Sequence, residues 1–299
     1  MSRRAFIRNT ALCAVAVSAH GFIRLEGDHF TGDCETTSDI IGPFYRPNSP
    51  VRSNLVIAGE AGTPIELSGL VRHKDCVTPC KNARIELWHC DGKGVYDNAT
   101  DAFRYRGTTY ADSKGAYAFH TILPVPYDVG NGSIRPAHFH LMITADGYMP
   151  LVTQLYFTGD KNIAKDAYAS SPAARNRILK TEALKDGSQK VSFHVSMSRT
   201  LAAEPASIDR LTGTYIDQKD QRKTIELFKK DNKLWMKNEV YGEHFEFSGN
   251  NTFTYPAMPP GLYANLHFEI MQTGAVKLTM ESLDETNQKI TLVAIKPQS

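Results

Sequence analysis

The sequence predicts an all-β protein in which a β-sandwich is followed by a small antiparallel β-barrel. Short apolar or alternating stretches recur over residues 65–198 with turn dipeptides between them, which is the pattern of a sandwich. A second set of alternating stretches fills residues 208–299 and predicts a meander that curls into a barrel. Residues 166–184 form the one stretch of helical composition, being rich in Ala, Arg, Lys and Leu.

Composition and charge narrow the classes of function. The chain has 299 residues, of which 41% are hydrophobic and 22% charged, as in ordinary globular proteins. Its formal net charge is only +2, whereas proteins that bind nucleic acid through phosphate contacts are usually more basic. No apolar run approaches the roughly 20 residues that a membrane-spanning helix needs. We therefore expect a globular protein with no nucleic-acid partner and no transmembrane span.

Residues 1–24 have the features of a signal peptide. Three arginines precede residue 10, and an apolar run over residues 11–19 ends in small residues. The pair Arg3-Arg4 also resembles a twin-arginine export signal, which carries proteins that have already folded in the cytoplasm. An ordinary secretion signal is the alternative. Both interpretations predict an exported protein that works in the periplasm or outside the cell.

Three segments follow the signal peptide. Residues 25–200 comprise an N-terminal arm and the sandwich, residues 201–207 form a linker rich in Ala, and residues 208–299 form the barrel. The clearest predicted strands of the sandwich are residues 65–71, 84–89, 116–120, 138–144 and 152–157. Those of the barrel are residues 224–228, 234–237, 245–248, 266–271, 275–280 and 289–295.

The cysteines fit an oxidising compartment. Cys13 leaves with the signal peptide, and the even set Cys34, Cys76, Cys80 and Cys90 remains. Zinc binding at Cys76 and Cys80 is disfavoured because a second Cys/His pair at zinc-finger spacing is absent. Cys90 ends a predicted strand, so a disulfide would fasten the preceding loop to that strand. We expect Cys90 to be oxidised, with Cys76 as the favoured partner and Cys80 next.

A metal-ligand pattern lies on the predicted strand 138–144. Successive side chains of a strand point to opposite faces, so His138, His140 and Met142 share one face. The apolar Phe139 and Leu141 share the other face and belong to the core. A His-x-His pair alone is a weak signal, but the uniformly apolar opposite face favours two imidazoles that converge on one metal ion.

Tyrosines, and not carboxylates, accompany the histidine pair. No Asp or Glu lies at a suitable spacing beside it, whereas Tyr96 and Tyr127 lie at predicted strand ends or in loops, where sites tend to be built. A phenol has a pKa near 10 and ligates well only beside a strongly acidic cation. Ferric iron is such a cation, and iron–tyrosinate ligation is an established mode. Either tyrosine taken alone is equally compatible with an amphipathic surface position.

Residues 36–197 resemble an intradiol ring-cleavage dioxygenase, the family of catechol and protocatechuate dioxygenases. The most specific element is Arg135-Pro-Ala-His-Phe-His140, and it occurs in the family's order with residues 37–45, 83–96, 103–107, 115–124 and 153–157. The Trp88-His89-Cys90 segment and the export signal resemble the secreted branch of the family. The barrel lies outside this resemblance and is similar to small lipocalin-like barrels appended to exported bacterial enzymes.

The resemblance also implies the site and its chemistry. The implied ligands of a non-haem Fe(III) ion are Tyr96, Tyr127, His138 and His140. Tyr127 is implied to be the ligand that leaves when substrate binds, with Arg135 and Gln154 beside the substrate. The implied reaction cleaves a catechol-type aromatic between its two hydroxyls with O2, incorporates both oxygen atoms and gives a muconate-type diacid. Arg135 would stabilise the developing negative charge, or it would hold a strand by pairing with a carboxylate.

Two other classes of function stay open at this point. The first is a catalytically inactive exported β-sandwich module that binds aromatics or glycans. The second is a copper- or zinc-binding His-x-His protein with structural tyrosines. The sequence does not specify the ring substituents of the substrate or the role of the barrel, and a homo-oligomer is compatible with it.

Overall fold

The computed structural model describes residues 16–18, 21–26, 29–32, 35–130, 132–237, 243–259, 261–283 and 288–298, with the backbone alone up to residue 32. The predicted signal peptide lies largely outside these residues, and Cys13 and Cys34 lie wholly outside them. Strands β1 (Ala16–Ser18), β2 (Gly21–Glu26) and β3 (His29–Gly32) form a small antiparallel sheet. Within the described part of the chain, no helix is both long and apolar enough to cross a membrane.

Two five-stranded sheets form the predicted sandwich. The strands of this domain are β4 (Pro64–His73), β5 (Arg84–Trp88), β6 (Arg106–Tyr110), β7 (Ala116–Ile122), β8 (Tyr127–Asp128), β9 (Ile134–Arg135), β10 (His138–Thr144), β11 (Leu151–Phe157), β12 (Ile178–Leu179), β13 (Glu182–Ala183), β14 (Gln189–Ser192) and β15 (Val195–Met197). Ten of them form the two sheets, while β8 and β9 pair in a separate two-stranded sheet. One sheet has the order β12-β11-β10-β5-β6. In the other, β4 pairs with β7, β14 and β15, and β13 pairs with β14. All five predicted sandwich strands are confirmed, with ends that shift by one or two residues.

The core of the sandwich lies between these sheets. It joins Leu67 of β4 and Phe119 of β7 to Leu87, Leu141 and Leu155 of β5, β10 and β11. Each of these side chains is fully buried, and each alternates along its strand with residues that face the other way. The opposite face of β5 and β10 is therefore free to build a site.

The prediction of a helix over residues 166–184 is wrong. This segment contains the 3₁₀ helix Pro172–Arg177 and then β12 and β13, and a second 3₁₀ helix, Ile163–Lys165, precedes it. The Asp166 carboxylate accepts hydrogen bonds from the backbone N–H groups of Tyr168 and Ala169, and such bonds compete with a helix. The buried side chain of Arg177 also reaches Asp39 of the N-terminal arm. Tertiary contacts and local caps thus override the helical composition.

A closed eight-stranded barrel forms the second domain. Its strands are β16 (Gly213–Asp217), β17 (Thr224–Lys230), β18 (Lys233–Met236), β19 (Glu243–Gly249), β20 (Thr252–Thr254), β21 (Tyr263–Ile270), β22 (Val276–Leu283) and β23 (Lys289–Lys296). The six predicted strands are confirmed, while the short β16 and β20 were not predicted. Helix α1 (Pro205–Leu211) begins inside the predicted linker and packs Ile208 and Leu211 into the barrel's own core.

The predicted disulfide of Cys90 is contradicted. Cys80 and Cys90 are both buried free thiols, and Cys76 is disulfide-bonded to neither of them. The Cys90 thiol lies 3.5 Å from the backbone carbonyl oxygen of Val125, and burial raises its pKa to about 11. A thiol in such a place stays protonated and is a poor nucleophile for disulfide formation.

His89 couples the stability of the sandwich to pH. Its ring is 1% exposed, with Nδ1 2.7 Å from the Cys90 carbonyl oxygen and Nε2 2.7 Å from the Thr121 hydroxyl. Burial lowers the pKa of His89 from 6.5 to about 4. His89 therefore binds a proton below about pH 6.5 in the unfolded chain but only below about pH 4 in the folded chain. As a result, the free energy of unfolding falls as pH drops from about 6.5 to about 4.

We expect His89→Gln to flatten this dependence, because an amide can make both hydrogen bonds and does not titrate. Urea unfolding at pH 4.5 and pH 7 should show a smaller loss of unfolding free energy in the variant, by up to about 3 kcal/mol. His120→Gln, on an exposed histidine of β7, is the control and should behave as wild type. If the free energy of unfolding fell equally between pH 7 and pH 4.5 in wild type and His89→Gln, His89 would not be the group that makes stability depend on pH.

Candidate active site

Strand β10 places two histidines on the face of its sheet that points away from the sandwich core. Phe139 and Leu141 pack into that core, as predicted from the alternation, and Ile143 packs with them. His138 and His140 face the other way and are almost completely buried. The register pairs His140 with Trp88 on β5 and with Gln154 on β11, so all three lie side by side.

His138 Nε2 contacts the donor atoms of two of the other predicted ligands. The Nε2 atoms of His138 and His140 are 3.1 Å apart, and the Tyr96 hydroxyl lies 3.4 Å from His138 Nε2. The Tyr127 ring is the fourth member, with its centroid 5.5 Å from the Tyr96 ring and 5.6 Å from the His138 ring. Residues 96, 127, 138 and 140 thus meet at one point of the fold.

The protonation of the histidines suits them to bind a metal. His138 Nδ1 lies 2.7 Å from the Pro136 carbonyl oxygen, which can only accept, so Nδ1 carries the proton and Nε2 keeps its lone pair. Burial lowers the pKa of His138 to about 3. Burial, and then the neighbouring His138, lower the pKa of His140 well below its ordinary value. Both imidazoles are therefore neutral at neutral pH.

The two tyrosines need a cation in order to ionise. Burial, and then Tyr127, raise the pKa of Tyr96 well above its ordinary value, and burial also raises the pKa of Tyr127. Gly94 allows the tyrosines to approach each other: its φ is +83°, and a Cβ there would lie 2.8 Å from Tyr127 Cβ. A strongly acidic cation between the oxygens would reverse both shifts.

Aromatic side chains that were not predicted to belong to the site enclose this cluster. The Phe44 ring stacks on Tyr96 with centroids 4.4 Å apart, and the Trp88 ring lies parallel to His140 at 4.9 Å. Gly42 lets the arm pass over His140, since a Cβ there would be 3.0 Å from His140 Cε1. Phe44, Trp88 and Gly42 all lie in segments that carry the family resemblance. Their contacts with the cluster follow only from the strand register and the path of the N-terminal arm.

The residues present fit a metal ion. Metal–imidazole bonds of about 2.0–2.1 Å put neighbouring nitrogens about 3 Å apart, close to the separation of the two Nε2 atoms. His140 Nδ1 is buried and has no hydrogen-bond partner in the described part of the chain, so this ring is held by stacking against Trp88. Among the described residues, no group of three or more His, Cys, Asp and Glu side chains could hold a metal. Two neutral imidazoles and two phenols, by contrast, match a hard, strongly acidic cation.

Arg135 lies beside the cluster and pairs with a carboxylate. It is the register partner of Tyr127 across β8 and β9, and its Nε donates to Asp166 Oδ2 at 2.6 Å. Its Nη2 donates to Gln154 Oε1 at 2.8 Å. The structure therefore contains the pairing that the sequence analysis gave as the alternative role of Arg135. Asp166 is 31 residues away along the chain, and no sequence signal indicated it.

A second buried pair supports Gln154. The Gln154 side chain donates to the Ile40 carbonyl at 2.8 Å, and the Tyr156 hydroxyl donates to Gln154 Oε1 at 3.1 Å. Arg177 forms an ion pair with Asp39 and also donates to the Gln154 backbone carbonyl at 2.9 Å. These contacts tie the N-terminal arm to β11 and hold the Gln154 amide in one orientation.

A family model described as Dioxygenase matches residues 40–199, which is more than half of the chain. The chain is 36% identical over 155 residues to chlorocatechol 1,2-dioxygenase of Rhodococcus opacus, covering 44% of this chain and 60% of that protein. It is 35% identical over 141 residues to catechol 1,2-dioxygenase of Candida albicans, covering 40% and 46%. It is 34% identical over 149 residues to hydroxyquinol 1,2-dioxygenase of Nocardioides simplex, covering 44% and 50%.

A solved structure shares the fold of the sandwich. The crystal structure of chlorocatechol 1,2-dioxygenase from Pseudomonas putida aligns with a TM-score of 0.50 and 27% identity, covering 55% of this chain and 72% of that one. The chain spans about half the length of the curated relatives it matches, and all the site residues lie within the matched part.

Proposed function

The chain belongs to the intradiol ring-cleavage dioxygenase family, and from this premise we propose that it is a non-haem Fe(III) enzyme acting on catechol-type aromatics. The proposed reaction breaks the ring carbon–carbon bond between the two hydroxyl-bearing carbons and places both atoms of O2 in a muconate-type diacid. The observation that carries the proposal is that His138 Nε2 lies 3.1 Å from His140 Nε2 and 3.4 Å from the Tyr96 hydroxyl.

We assign the four clustered residues as ligands. His138 and His140 would bind as neutral imidazoles through Nε2, and Tyr96 and Tyr127 would bind as phenolates. Two phenolates compensate most of the charge of a ferric ion, which suits a site that is largely buried. When bound, the ferric ion supplies Lewis acidity and a template that brings the catechol and O2 together.

The chain's own residues bind the substrate and handle its protons. We assign to the Tyr127 phenolate oxygen the uptake of a catechol proton as the substrate arrives. Tyr127 lies on the two-residue strand β8 and is only partly buried, so it is the more accessible of the two tyrosines. Arg135 presents a cation to the negative charge that develops on the ring oxygens. The apolar walls of Phe44, Val125 and Trp88 exclude water and strengthen that interaction.

Colour and oxygen uptake test this proposal. A protein purified with iron should show an intense visible charge-transfer band from Fe(III)–tyrosinate and should consume one O2 per catechol cleaved. Catechol, protocatechuate, hydroxyquinol and a chlorocatechol form the panel. A folded, coloured protein without oxygen uptake on any of them would favour the inactive binding module. A colourless folded protein that retains copper or zinc would favour the third class.

We also propose that the protein is exported. The support is the basic and apolar N-terminal segment, with its Arg3-Arg4 pair, and the disulfide of Cys76. Fractionation of cells that express the full chain should place the protein outside the cytoplasm, and Arg3→Lys with Arg4→Lys should retain it inside. Unchanged export of that double variant would contradict the twin-arginine route.

The barrel is expected to be dispensable for catalysis. Every proposed ligand precedes helix α1, and each domain has its own buried core. The Ser38 hydroxyl donates to the Met258 carbonyl across the two domains, and truncation removes this bond. A chain that ends at Ala203 should keep iron and a kcat within about threefold of wild type, a change of less than 1 kcal/mol. A truncated protein that folds and holds iron but has lost activity would show that the barrel helps build the site.

A further inference from the structure

We propose that Asp166 is a positioning residue that fixes the Arg135 guanidinium so that its uncommitted nitrogen, Nη1, meets the substrate. This inference rests on the proposed function and adds to it a residue that acts through another. It assigns a role to a buried carboxylate that lies outside the cluster of four candidate ligands.

The position of Asp166 is itself fixed by the fold. It follows the 3₁₀ helix Ile163–Lys165, and its side chain is 3% exposed. Oδ1 accepts the backbone N–H groups of Tyr168 and Ala169 at 3.0 and 2.8 Å, which leaves Oδ2 for Arg135. A carboxylate held by two backbone donors has little freedom to rotate, so it can define where the guanidinium lies.

The donors of Arg135 are divided between its neighbours. Nε donates a hydrogen bond to Asp166 and Nη2 donates one to Gln154. Among the described residues, no acceptor receives a hydrogen bond from Nη1. Two of the three nitrogens of the planar guanidinium are thus held by hydrogen bonds, and the third, Nη1, is not. Because Arg135 and Tyr127 are register partners, Nη1 lies on the same hairpin as the tyrosine at the edge of the cluster.

Charge as well as geometry depends on Asp166. The Arg135 side chain is 11% exposed, and a cation so poorly hydrated is stabilised by its carboxylate partner. Without that partner, the guanidinium lowers its free energy by turning towards water or by forming an ion pair with a carboxylate of the product. Either change moves Nη1 from the place where charge develops during the reaction, so kcat should respond more than KM.

The test uses the iron-loaded full chain and three variants. Asp166→Asn keeps the turn acceptors and removes the charge, and we expect kcat to fall by about 10-fold or more with KM changed less, the scale of lost outer-sphere partners. Asp166→Glu restores the charge with a longer side chain and should recover part of kcat. Asp112→Asn is the control, because the Asp112 carboxylate also accepts two backbone N–H groups, those of Lys114 and Ala116, and no described arginine pairs with it.

A second readout follows Arg135 without relying on turnover. Labelling by phenylglyoxal, mapped by mass spectrometry, should be faster at Arg135 in Asp166→Asn than in wild type or Asp112→Asn. If Asp166→Asn lowered only the melting temperature, with kcat and Arg135 labelling unchanged, the residue would be structural and the proposal would be overturned. If wild type consumed no O2 with any catechol, the proposed function would fail, while the labelling result would still decide the contact between Asp166 and Arg135.

Discussion

Replacement of His138 or His140 by alanine is expected to remove iron, visible colour and activity from a protein that stays folded. Each variant deletes one of two Nε2 atoms that lie 3.1 Å apart and that we assign as ligands. Loss of outer partners of a metal ligand already costs about 10–100-fold, so loss of the ligand itself should lower activity by more than about 100-fold. Iron per chain by elemental analysis, the visible spectrum and oxygen uptake measure the three effects.

Folding should survive because both rings point away from the sandwich core. The core face of β10 carries Phe139, Leu141 and Ile143, and these side chains are untouched. Far-ultraviolet circular dichroism and thermal unfolding of the iron-free proteins check this, with an expected loss of roughly 1–3 kcal/mol. His120→Ala, on an exposed histidine that lies near Glu66 and outside the cluster, should retain iron and activity. Wild-type iron content in both His138→Ala and His140→Ala would contradict the ligand assignment.

The strands of both domains were predictable because their periodicity is local. In β10, a single alternation separates Phe139 and Leu141 from His138 and His140, and the observed burial follows it. The three-residue β20 carries too few alternating residues to be recognised, whereas the five-residue β16 does alternate and was not predicted. Their partners in the closed barrel hold them in place, and that stabilisation is not encoded in the segment itself.

The wrong predictions concern segments whose contacts, local caps and bonds between distant residues, form only in the folded chain. The helix expected over residues 166–184 gives way to 3₁₀ turns and strands, because Asp166 caps backbone donors and Arg177 is drawn to Asp39. Cys90 was expected to pair with Cys76, but Cys90 is buried against the Val125 carbonyl. The residues of the site could be predicted from the sequence. The pairing of Asp166 with Arg135 could be identified only from the folded structure.

Removal of the two tyrosine hydroxyls is expected to have different consequences in Tyr96→Phe and Tyr127→Phe. Tyr96 is buried under Phe44, with ring centroids 4.4 Å apart, whereas the Tyr127 ring is 6.3 Å from Phe44 and is only partly buried. These surroundings favour Tyr96 as the phenolate that stays in the substrate complex and Tyr127 as the one that leaves. Tyr96→Phe should therefore change the visible spectrum both at rest and with substrate bound under anaerobic conditions.

Tyr127→Phe should change the resting spectrum and leave the substrate-bound spectrum close to wild type, because its hydroxyl is already displaced in that complex. Activity should still fall by roughly 100-fold or more, since the Tyr127 oxygen takes up a catechol proton and general acid–base groups contribute about 10²–10⁴-fold. Tyr110→Phe, on a half-exposed tyrosine of β6, is the matched control and should change neither spectrum nor rate. If Tyr127→Phe altered the substrate-bound spectrum while Tyr96→Phe did not, the two roles would have to be exchanged, and the proton would leave the catechol through Tyr96.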